Sequence, residues 1–327
     1  MKILFIFTGG TISTTLDGNV MKVDKDKPYA LIKAYENKYG MDFSYDCYSP
    51  FLELSENNTC EHLDKLCSCV MKYANQDYDG IIVTHGTDTL QYSACALSYT
   101  LGSNCIPVCL VSASFPLSDA NSNAIYNLHS AILFIKNKLG KGVFVPFKNT
   151  KDSFIKVHRA TRLLPSAPFS DEVMSVKDQE YGRFFSGPNN ELLFTKNPKY
   201  LEKQDEIPPF APCFLHSHVL FLHAHVGMSY PTLSQNIKYV LISSYHSGTV
   251  DTKSKEAREF YTLAKTQGIK VFISGVENGN VYESATEFYT LNLTPLPLSP
   301  ISAYIKLLLI SSQKDTDKLY KSLGGDL

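Results

Sequence analysis

Two threonine-containing segments, residues 8–12 (TGGTI) and residues 84–89 (THGTDT), carry hydroxyl and carboxylate side chains, which can take part in nucleophilic catalysis. Such catalysis needs a nucleophile, a group that takes its proton and donors that stabilise the developing oxyanion. Thr11 follows two glycines, and a glycine-rich turn would expose its hydroxyl as the nucleophile. Thr87 and Asp88 would supply a second hydroxyl and a carboxylate.

Each segment comes directly after a predicted buried strand. Residues 3–7 (ILFIF) and 81–83 (IIV) are apolar runs, and the second segment leads into a helical pattern. Thr87 and Asp88 would then lie at a helix N-terminus, where free backbone N–H groups favour negative charge, although either residue could simply cap the helix. Because ligands of open parallel sheets bind at the carboxyl ends of the strands, we expect both threonines to face one crevice.

The alternation of strands and helices predicts an α/β fold, a doubly wound, mostly parallel sheet with right-handed crossovers. Residues 1–190 are predicted to form an N-terminal α/β domain that carries both threonine segments. Residues 191–213 are charged and rich in proline, which is typical of a linker. Residues 214–327 alternate again and predict a smaller α/β domain.

Composition excludes several classes of partner. Hydrophobic residues make up 44% of the chain, charged residues 19%, and the net charge is −1, so no basic surface favours nucleic acid or an anionic membrane. The apolar start of the chain stops at the first glycine pair, which favours a strand over a signal peptide, and residues 301–310 are too short to span a bilayer. We therefore expect a cytoplasmic protein.

Metal binding is a rival interpretation. Two His-x-His pairs, at residues 216–218 and 223–225, would each point to one side of a strand and could bind zinc or iron. No carboxylate accompanies them in sequence, and the eight cysteines show no CxxC spacing, which favours reduced thiols over a zinc site. The prediction is a protein without metal or cofactor.

The two threonine segments, TGGTI and HGTDT in this order, resemble those of the bacterial L-asparaginase and glutaminase family, and the likeness continues along nearly the whole chain. The resemblance implies conversion of L-asparagine to L-aspartate and ammonia through a threonine acyl-enzyme, with an amino-acid amide and water as the reactants. In this family active sites form between subunits, which implies a homodimer or homotetramer. The family's tRNA-amidotransferase branch has an additional N-terminal domain, and we expect this chain to lie outside that branch.

The resemblance also implies roles for single residues. The counterpart of Thr11 forms the acyl intermediate, the counterpart of Thr87 positions water and holds the oxyanion, and the counterpart of Asp88 orients that threonine through a lysine. Nothing in this sequence matches that lysine, and the nearest fit is Arg162, whereas a shifted register gives Leu164.

Substrate-binding positions follow in the same way. Gly10 and Gly86 form the two turns, Ser55 and Glu56 fall where the family holds the α-carboxylate and α-amine, and the backbone near Ala113 would contact the substrate amide. Ser55 could instead begin a helix cap.

Two departures from the family pattern leave two functions open. The family's loop tyrosine is replaced by residues 19–21 (NVM), and an arginine at position 162 could pair with Asp88 but could not shuttle a proton. The chain is then either an active amidohydrolase for L-asparagine, with L-glutamine as a further substrate, or a weakly active or inactive relative that binds an amino acid. If Arg162 is in the site, Arg162→Lys changes turnover more than stability.

Overall fold

The computed structural model describes the chain except residues 11–13, 18–19, 24–26, 190, 215–217, 277–281, 312–314 and 327, and it describes the backbone alone for residues 14–17, 20–23 and 27–28. The chain divides into two compact units. The first contains residues 1–212 and 323–325, and the second contains residues 213–322 and 326–327.

The first unit is built on an eight-stranded sheet and a separate two-stranded hairpin. The strands of this unit that the structure describes are, in chain order, β1 (Lys2–Phe7), β2 (Thr14–Asp17), β3 (Val20–Val23), β4 (Ser44–Tyr48), β5 (Gly80–Thr84), β6 (Val108–Val111), β7 (Val143–Phe147), β8 (Ile155–Arg159), β9 (Gly182–Ser186) and β10 (Leu192–Lys196). The order across the large sheet is β10-β9-β8-β7-β6-β5-β1-β4, and β2 and β3 pair separately as an antiparallel hairpin. Strands β4, β1, β5, β6 and β7 are parallel, whereas β8, β9 and β10 continue the sheet in antiparallel pairs.

The parallel strands form because near-continuous apolar runs bury both faces of the sheet. All five residues of β5 and of β7 are buried. The helices of this unit are α1 (Lys27–Tyr39), α2 (Cys60–Ala74), α3 (Leu90–Leu101) and α4 (Ala124–Lys136). One core packs α1 and α4 against Phe5, Ile82 and Phe144 of the sheet. The predicted doubly wound α/β fold is confirmed.

Chain order reverses between β1 and β5. From β1 the chain passes to β4 on one side, and β5 lies on the other side of β1. Such a switch point opens a crevice at the carboxyl ends of the two strands, where open α/β sheets bind their ligands. The ends of β1 and β5 carry the two threonine segments.

The second unit is a smaller α/β layer. Its elements are β11 (Val219–His223), β12 (Tyr239–Ser243), α5 (Lys255–Thr266), β13 (Lys270–Ser274), α6 (Glu283–Thr286), β14 (Leu293–Leu296) and α7 (Pro300–Ile310). The four strands are parallel and adjacent in chain order. Within this unit the Lys306 ammonium lies 2.6 Å from the Asp326 carboxylate, and both side chains are fully buried.

The division of the chain differs in detail from the sequence prediction. The predicted linker, residues 191–213, contains β10, which pairs with β9 as the outermost strand of the first sheet. The division falls between Pro212 and Cys213, and residues 323–325 return to the first unit. A charged, proline-bearing composition therefore extends into an edge strand, where one side of the backbone is unpaired and polar residues are tolerated.

Two further observations bear on environment. All eight cysteines lie in described residues and none forms a disulfide. In the part of the chain that the structure describes, no helix has the length and apolar character needed to cross a membrane.

Candidate active site

The ends of β1 and β5 meet through their glycines. Gly10 has φ +82°, and a Cβ built on it would lie 2.2 Å from the Gly86 nitrogen. A Cβ on Gly86 would lie 2.4 Å from the Ser55 hydroxyl. Only glycine allows this approach of two backbones, and we call residues 9–10 together with 85–88 the glycine corner.

The segment before α2 closes over the glycine corner. Gly10 N–H donates to the Glu53 carbonyl at 3.3 Å, and Glu53 N–H donates to the Thr8 carbonyl at 3.0 Å. These bonds extend the β1 pairing by one bridge, so the backbone of residues 53–55 is held beside the turn. The ends of β1 and β5 and the segment that follows β4 therefore form one surface.

Asp88 and Ser55 are brought together at this surface. The Ser55 hydroxyl donates to Asp88 Oδ2 at 3.2 Å. The Thr89 hydroxyl donates to the Ser55 carbonyl at 2.9 Å, and it accepts from the Asn58 amide at 3.1 Å. The hydroxyl and carboxylate that the sequence assigned to substrate binding and catalysis therefore share one hydrogen-bond network.

His85 is a fully buried part of the same network. Its Nδ1 lies 2.8 Å from the Gly86 carbonyl, and its Nε2 lies 2.8 Å from the Ser93 hydroxyl on α3. Nδ1 must donate to the carbonyl, so Nε2 accepts from the serine and the imidazole is neutral. Burial lowers the pKa of His85, which is consistent with this state. The His85 side chain therefore links the Gly86 peptide to α3 through two hydrogen bonds.

A cavity of about 420 Å³ opens beside Thr87 and Asp88. Ser114, which follows β6, and Phe147, the last residue of β7, line it from the sheet. The remaining lining residues belong to the loop after β8. They are Ser166, Ala167, Pro168, Phe169, Ser170, Asp171 and Val173. The volume is in the range of small-molecule sites.

The predicted site residues differ in where the structure places them. Thr11, the predicted nucleophile, lies outside the described residues, although the adjacent Gly10 contacts Gly86. Thr87 and Asp88 line the cavity, and Ser55 bonds to Asp88.

None of the five predicted substrate-binding residues, which are Gly10, Ser55, Glu56, Gly86 and Ala113, is among the residues that line the cavity. Glu56 is exposed in a short 3₁₀ helix and pairs with no described cation. Ala113 is fully buried between β6 and the cavity residue Ser114.

Arg162 is not brought to Asp88. Its Nε donates to the Gly325 carbonyl at 2.8 Å, and its Nη2 donates to the Leu201 carbonyl at 2.6 Å. Because β8 is antiparallel to β7, the chain leaves β8 toward the amino ends of the parallel strands, away from the glycine corner. The structure thus corrects the expected pairing of Arg162 with Asp88.

Arg162 belongs to a second cluster at this other edge, where Arg159 lies against the ring of Phe144 and pairs with Glu202. A Cβ on Gly325 would lie 2.7 Å from Arg159 Nε. We call Arg159, Arg162 and residues 324–325 the arginine corner.

Metal binding finds no geometric support in the described residues. No group of three or more His, Cys, Asp or Glu side chains among them is placed to hold a metal ion. His216 lies outside the described residues, and His218 Nδ1 lies 3.2 Å from the Lys238 ammonium. His225 Nδ1 lies 2.9 Å from the His223 carbonyl, which occupies one of its two ring nitrogens.

Sequence reasoning missed several residues of this site. His85 stands inside the quoted HGTDT motif, but its role depends on Ser93, which looks like any small residue of a buried helix. Asn58 and Asp171 carry no motif. A signal for β8 was present, since residues 155–158 (IKVH) alternate apolar and polar residues, and that strand would have shown where Arg162 leaves the sheet.

Comparison with known proteins identifies relatives along the whole chain. Residues 2–186 match the family model described as Asparaginase, N-terminal. One subunit of the glutamyl-tRNA(Gln) amidotransferase of Saccharolobus solfataricus is 26% identical over 332 residues, with 97% of this chain and 73% of the relative covered. The corresponding amidotransferase subunit of Methanosphaera stadtmanae is 26% identical over 288 residues, with 84% of this chain and 64% of the relative covered.

Solved structures share the fold. The thermostable L-asparaginase of Thermococcus kodakarensis superposes with a TM-score of 0.77 at 20% identity, covering 100% of this chain and 99% of its own. A probable cytoplasmic L-asparaginase of Campylobacter jejuni superposes with a TM-score of 0.75 at 22% identity, covering 98% of this chain and 99% of its own. At these identities the likeness establishes the fold, and the chemistry must be argued from the site.

Proposed function

Since the matched model covers more than half of its residues, the chain belongs to the asparaginase family, and we propose that it hydrolyses L-asparagine to L-aspartate and ammonia. One observation carries the proposal. The cavity lined by Thr87 and Asp88 adjoins the contact between Gly86 and Gly10, and Gly10 is bonded to Thr11. We infer that Thr11 supplies a nucleophile to the strand-end crevice where Thr87 and Asp88 supply a second hydroxyl and a carboxylate.

In the proposed reaction, Thr11 Oγ attacks the carbon of the side-chain amide and loses its proton as the C–O bond forms. The C–N bond then breaks and ammonia leaves with that proton, so that an aspartyl ester remains on Thr11. Water positioned by Thr87 attacks the ester, which releases L-aspartate and restores the hydroxyl. The N-terminus of α3, which begins two residues after Asp88, favours the oxyanion by about 0.3–1 kcal/mol.

Asp88 is proposed to hold the substrate rather than to relay a proton. Its carboxylate is exposed to the cavity and already accepts from Ser55, which leaves further lone pairs for an ammonium group. No step is assigned to Arg162, because backbone carbonyls occupy its guanidinium.

Two alternatives are supported by specific observations. The 26% identity to amidotransferase subunits across most of the chain favours an amidase whose ammonia is passed to a partner. The absence of the family's lysine from its expected position favours an amino-acid-binding protein with little turnover. We further propose a cytoplasmic homodimer or homotetramer, by analogy with the family.

Ammonia release from L-asparagine, L-glutamine and their D-isomers separates these functions. We expect chelator-insensitive release from L-asparagine by the chain alone, and a loss of about 100-fold to 1,000-fold in kcat for Thr11→Val and Thr87→Val. Thr262→Val, an exposed position on α5, is the control for hydroxyl removal. Release that survives in both site variants overturns the proposal, and L-aspartate binding without release supports the binding protein.

A further inference from the structure

The loop that forms the outer part of the cavity is held in place at both ends. Leu163 and Ser175 form a bridge at its base, and Leu164 N–H donates to the Met174 carbonyl at 2.9 Å. The buried Asn149 side chain accepts from Val173 N–H at 2.8 Å and donates to its carbonyl at 3.2 Å. We call residues 164–173 the cavity loop.

Two carboxylates, Asp88 and Asp171, line the cavity, and no basic residue is among its described lining residues. Each carboxylate accepts from a neutral hydroxyl, Asp88 from Ser55 and Asp171 from Thr150. Hydroxyl donors orient a carboxylate but do not neutralise it. The cavity therefore carries two negative charges from different parts of the sequence.

The lysines close to the cavity loop in sequence do not balance the negative charges of Asp88 and Asp171. Lys148 donates to the Asp152 carbonyl at 3.4 Å, and Lys156 lies 3.5 Å from the Asp152 carboxylate. Lys151 lies 3.3 Å from the carboxylate of Glu172, the neighbour of Asp171. Each of these ammonium groups has another acceptor, and none lines the cavity.

We propose that Asp171 is a second binding residue for the ammonium group of the substrate. This inference rests on the proposed function, which supplies the amide. Charge-assisted hydrogen bonds from an ammonium to two carboxylates are stronger than neutral ones, and a cation also removes the repulsion between the carboxylates. An amide that lacks the amine leaves both charges unpaired.

The test compares ligands that differ only in the ammonium group. Calorimetry measures L-aspartate and succinate binding to the full chain, and steady-state kinetics compare L-asparagine with succinamate. We expect wild type to prefer L-aspartate over succinate, and Asp171→Asn to weaken L-aspartate binding by about tenfold without weakening succinate binding. KM for L-asparagine should rise by a similar factor with kcat retained.

Glu172→Gln is the matched control, because it removes one charge from the same loop at a residue that does not line the cavity. It should change neither affinity. Thr150→Val keeps the Asp171 charge and removes its hydrogen-bond donor, so it should weaken L-aspartate binding by less than Asp171→Asn.

Three results would overturn the inference: equal losses for L-aspartate and succinate, no loss for either, or the same selective loss in Glu172→Gln. The proposed function fails separately. If wild type releases no ammonia but still prefers L-aspartate through Asp171, hydrolysis is wrong and the role of Asp171 stands. If wild type binds neither ligand, both are wrong.

Discussion

The glycine corner and the arginine corner lie along the same helix, α3, but different interactions stabilise each of them. At the start of α3, Ser93 bonds to His85 beside two glycines in backbone contact. Toward its end, Ser98 donates to the carbonyl of Gly324, beside two buried arginines.

The two corners also differ in charge and exposure. The arginines of one corner are buried, and their guanidinium groups donate to Glu202 and to backbone carbonyls. Asp88 of the glycine corner is exposed, and its described donor is the Ser55 hydroxyl. Buried groups with partners inside the protein stabilise the fold, whereas an exposed carboxylate is open to a ligand.

The two buried histidines repeat this contrast. His85 has a hydrogen-bond partner at each ring nitrogen. His158, on β8, lies 2.7 Å from the Ser175 hydroxyl through Nδ1, and its Nε2 has no partner in the described structure. The His85 ring, which has partners at both nitrogens, lies in the candidate site, where it holds the Gly86 peptide in position.

The largest expected effect comes from Gly10→Ala, which breaks the glycine corner. The positive φ alone costs about 1–2 kcal/mol, and overlap with the Gly86 backbone should raise the loss of stability above about 3 kcal/mol. Displacement of the turn should also lower turnover by at least about 100-fold. Chemical denaturation and ammonia release measure the two effects.

Gly40→Ala is the control for Gly10→Ala. Gly40 has a similar φ of +76°, but a Cβ there meets nothing within 4 Å. It should lose only the conformational term of about 1–2 kcal/mol and keep full turnover. Equal losses in both variants would contradict the close contact of the two turns.

Arg162→Ala should break the arginine corner with a smaller loss. Two carbonyls lose a charged donor, which predicts about 2–3 kcal/mol of lost stability. Turnover at temperatures where the variant is folded should be unchanged. The exposed Arg258→Ala, whose partner Glu287 lies 3.4 Å away, should cost at most about 1 kcal/mol. A collapse of turnover without loss of stability would restore Arg162 to the site.

The buried imidazole of His158 predicts that the free energy of unfolding depends on pH. Burial lowers its pKa to about 3, against 6.5 in the unfolded chain, so between these values the unfolded state binds the extra proton. Its stability contribution is present above pH 6.5 and is lost as pH falls. From pH 7.5 to pH 5.5, wild type should lose about 1 kcal/mol more stability than His158→Gln in urea titrations.

The control for this titration is His225→Gln, which changes an exposed imidazole. Its stability at pH 7.5 should lie within about 0.5 kcal/mol of wild type. If the pH dependence of His158→Gln matches that of wild type, the folded protein admits a proton to this ring and the histidine is not buried as described.

The smallest expected effects come from the two serines of α3. Ser93→Ala and Ser98→Ala each remove one buried hydroxyl, at a cost of about 1 kcal/mol. Ser93→Ala should also lower kcat for L-asparagine, because the ring that holds the Gly86 peptide loses a donor. Ser98→Ala should leave kcat unchanged, and the reverse result would contradict the division into a binding corner and a stabilising corner.

Local patterns in the sequence predicted much of this architecture. The alternation of strands and helices in residues 1–190 and again in residues 214–327 was predicted, because apolar periodicity is a short-range property. The meeting of the two glycine turns was also expected, since parallel strands place their carboxyl ends at one edge.

Such local patterns could not predict contacts between residues that are distant in sequence. Arg162 finds its acceptors at Leu201 and Gly325, and a backbone carbonyl carries no signal of its own in sequence. Asp171 became part of the cavity because Asn149 and a single bridge fold the loop back, which depends on contacts between distant residues. The expected pairing of Arg162 with Asp88 failed for this reason.

The return of residues 323–325 to the first unit has a consequence for synthesis. A ribosome that has made residues 1–212 has built every strand of the large sheet, yet the acceptors for Thr161 and for Arg162 Nε have not been translated. If residues 1–212 fold before the rest of the chain is made, Arg162 Nε lacks its acceptor until residues 323–325 are translated. The hydrogen bonds of Thr161 and of Arg162 Nε can therefore form only after residues 213–322, more than a hundred residues, have followed.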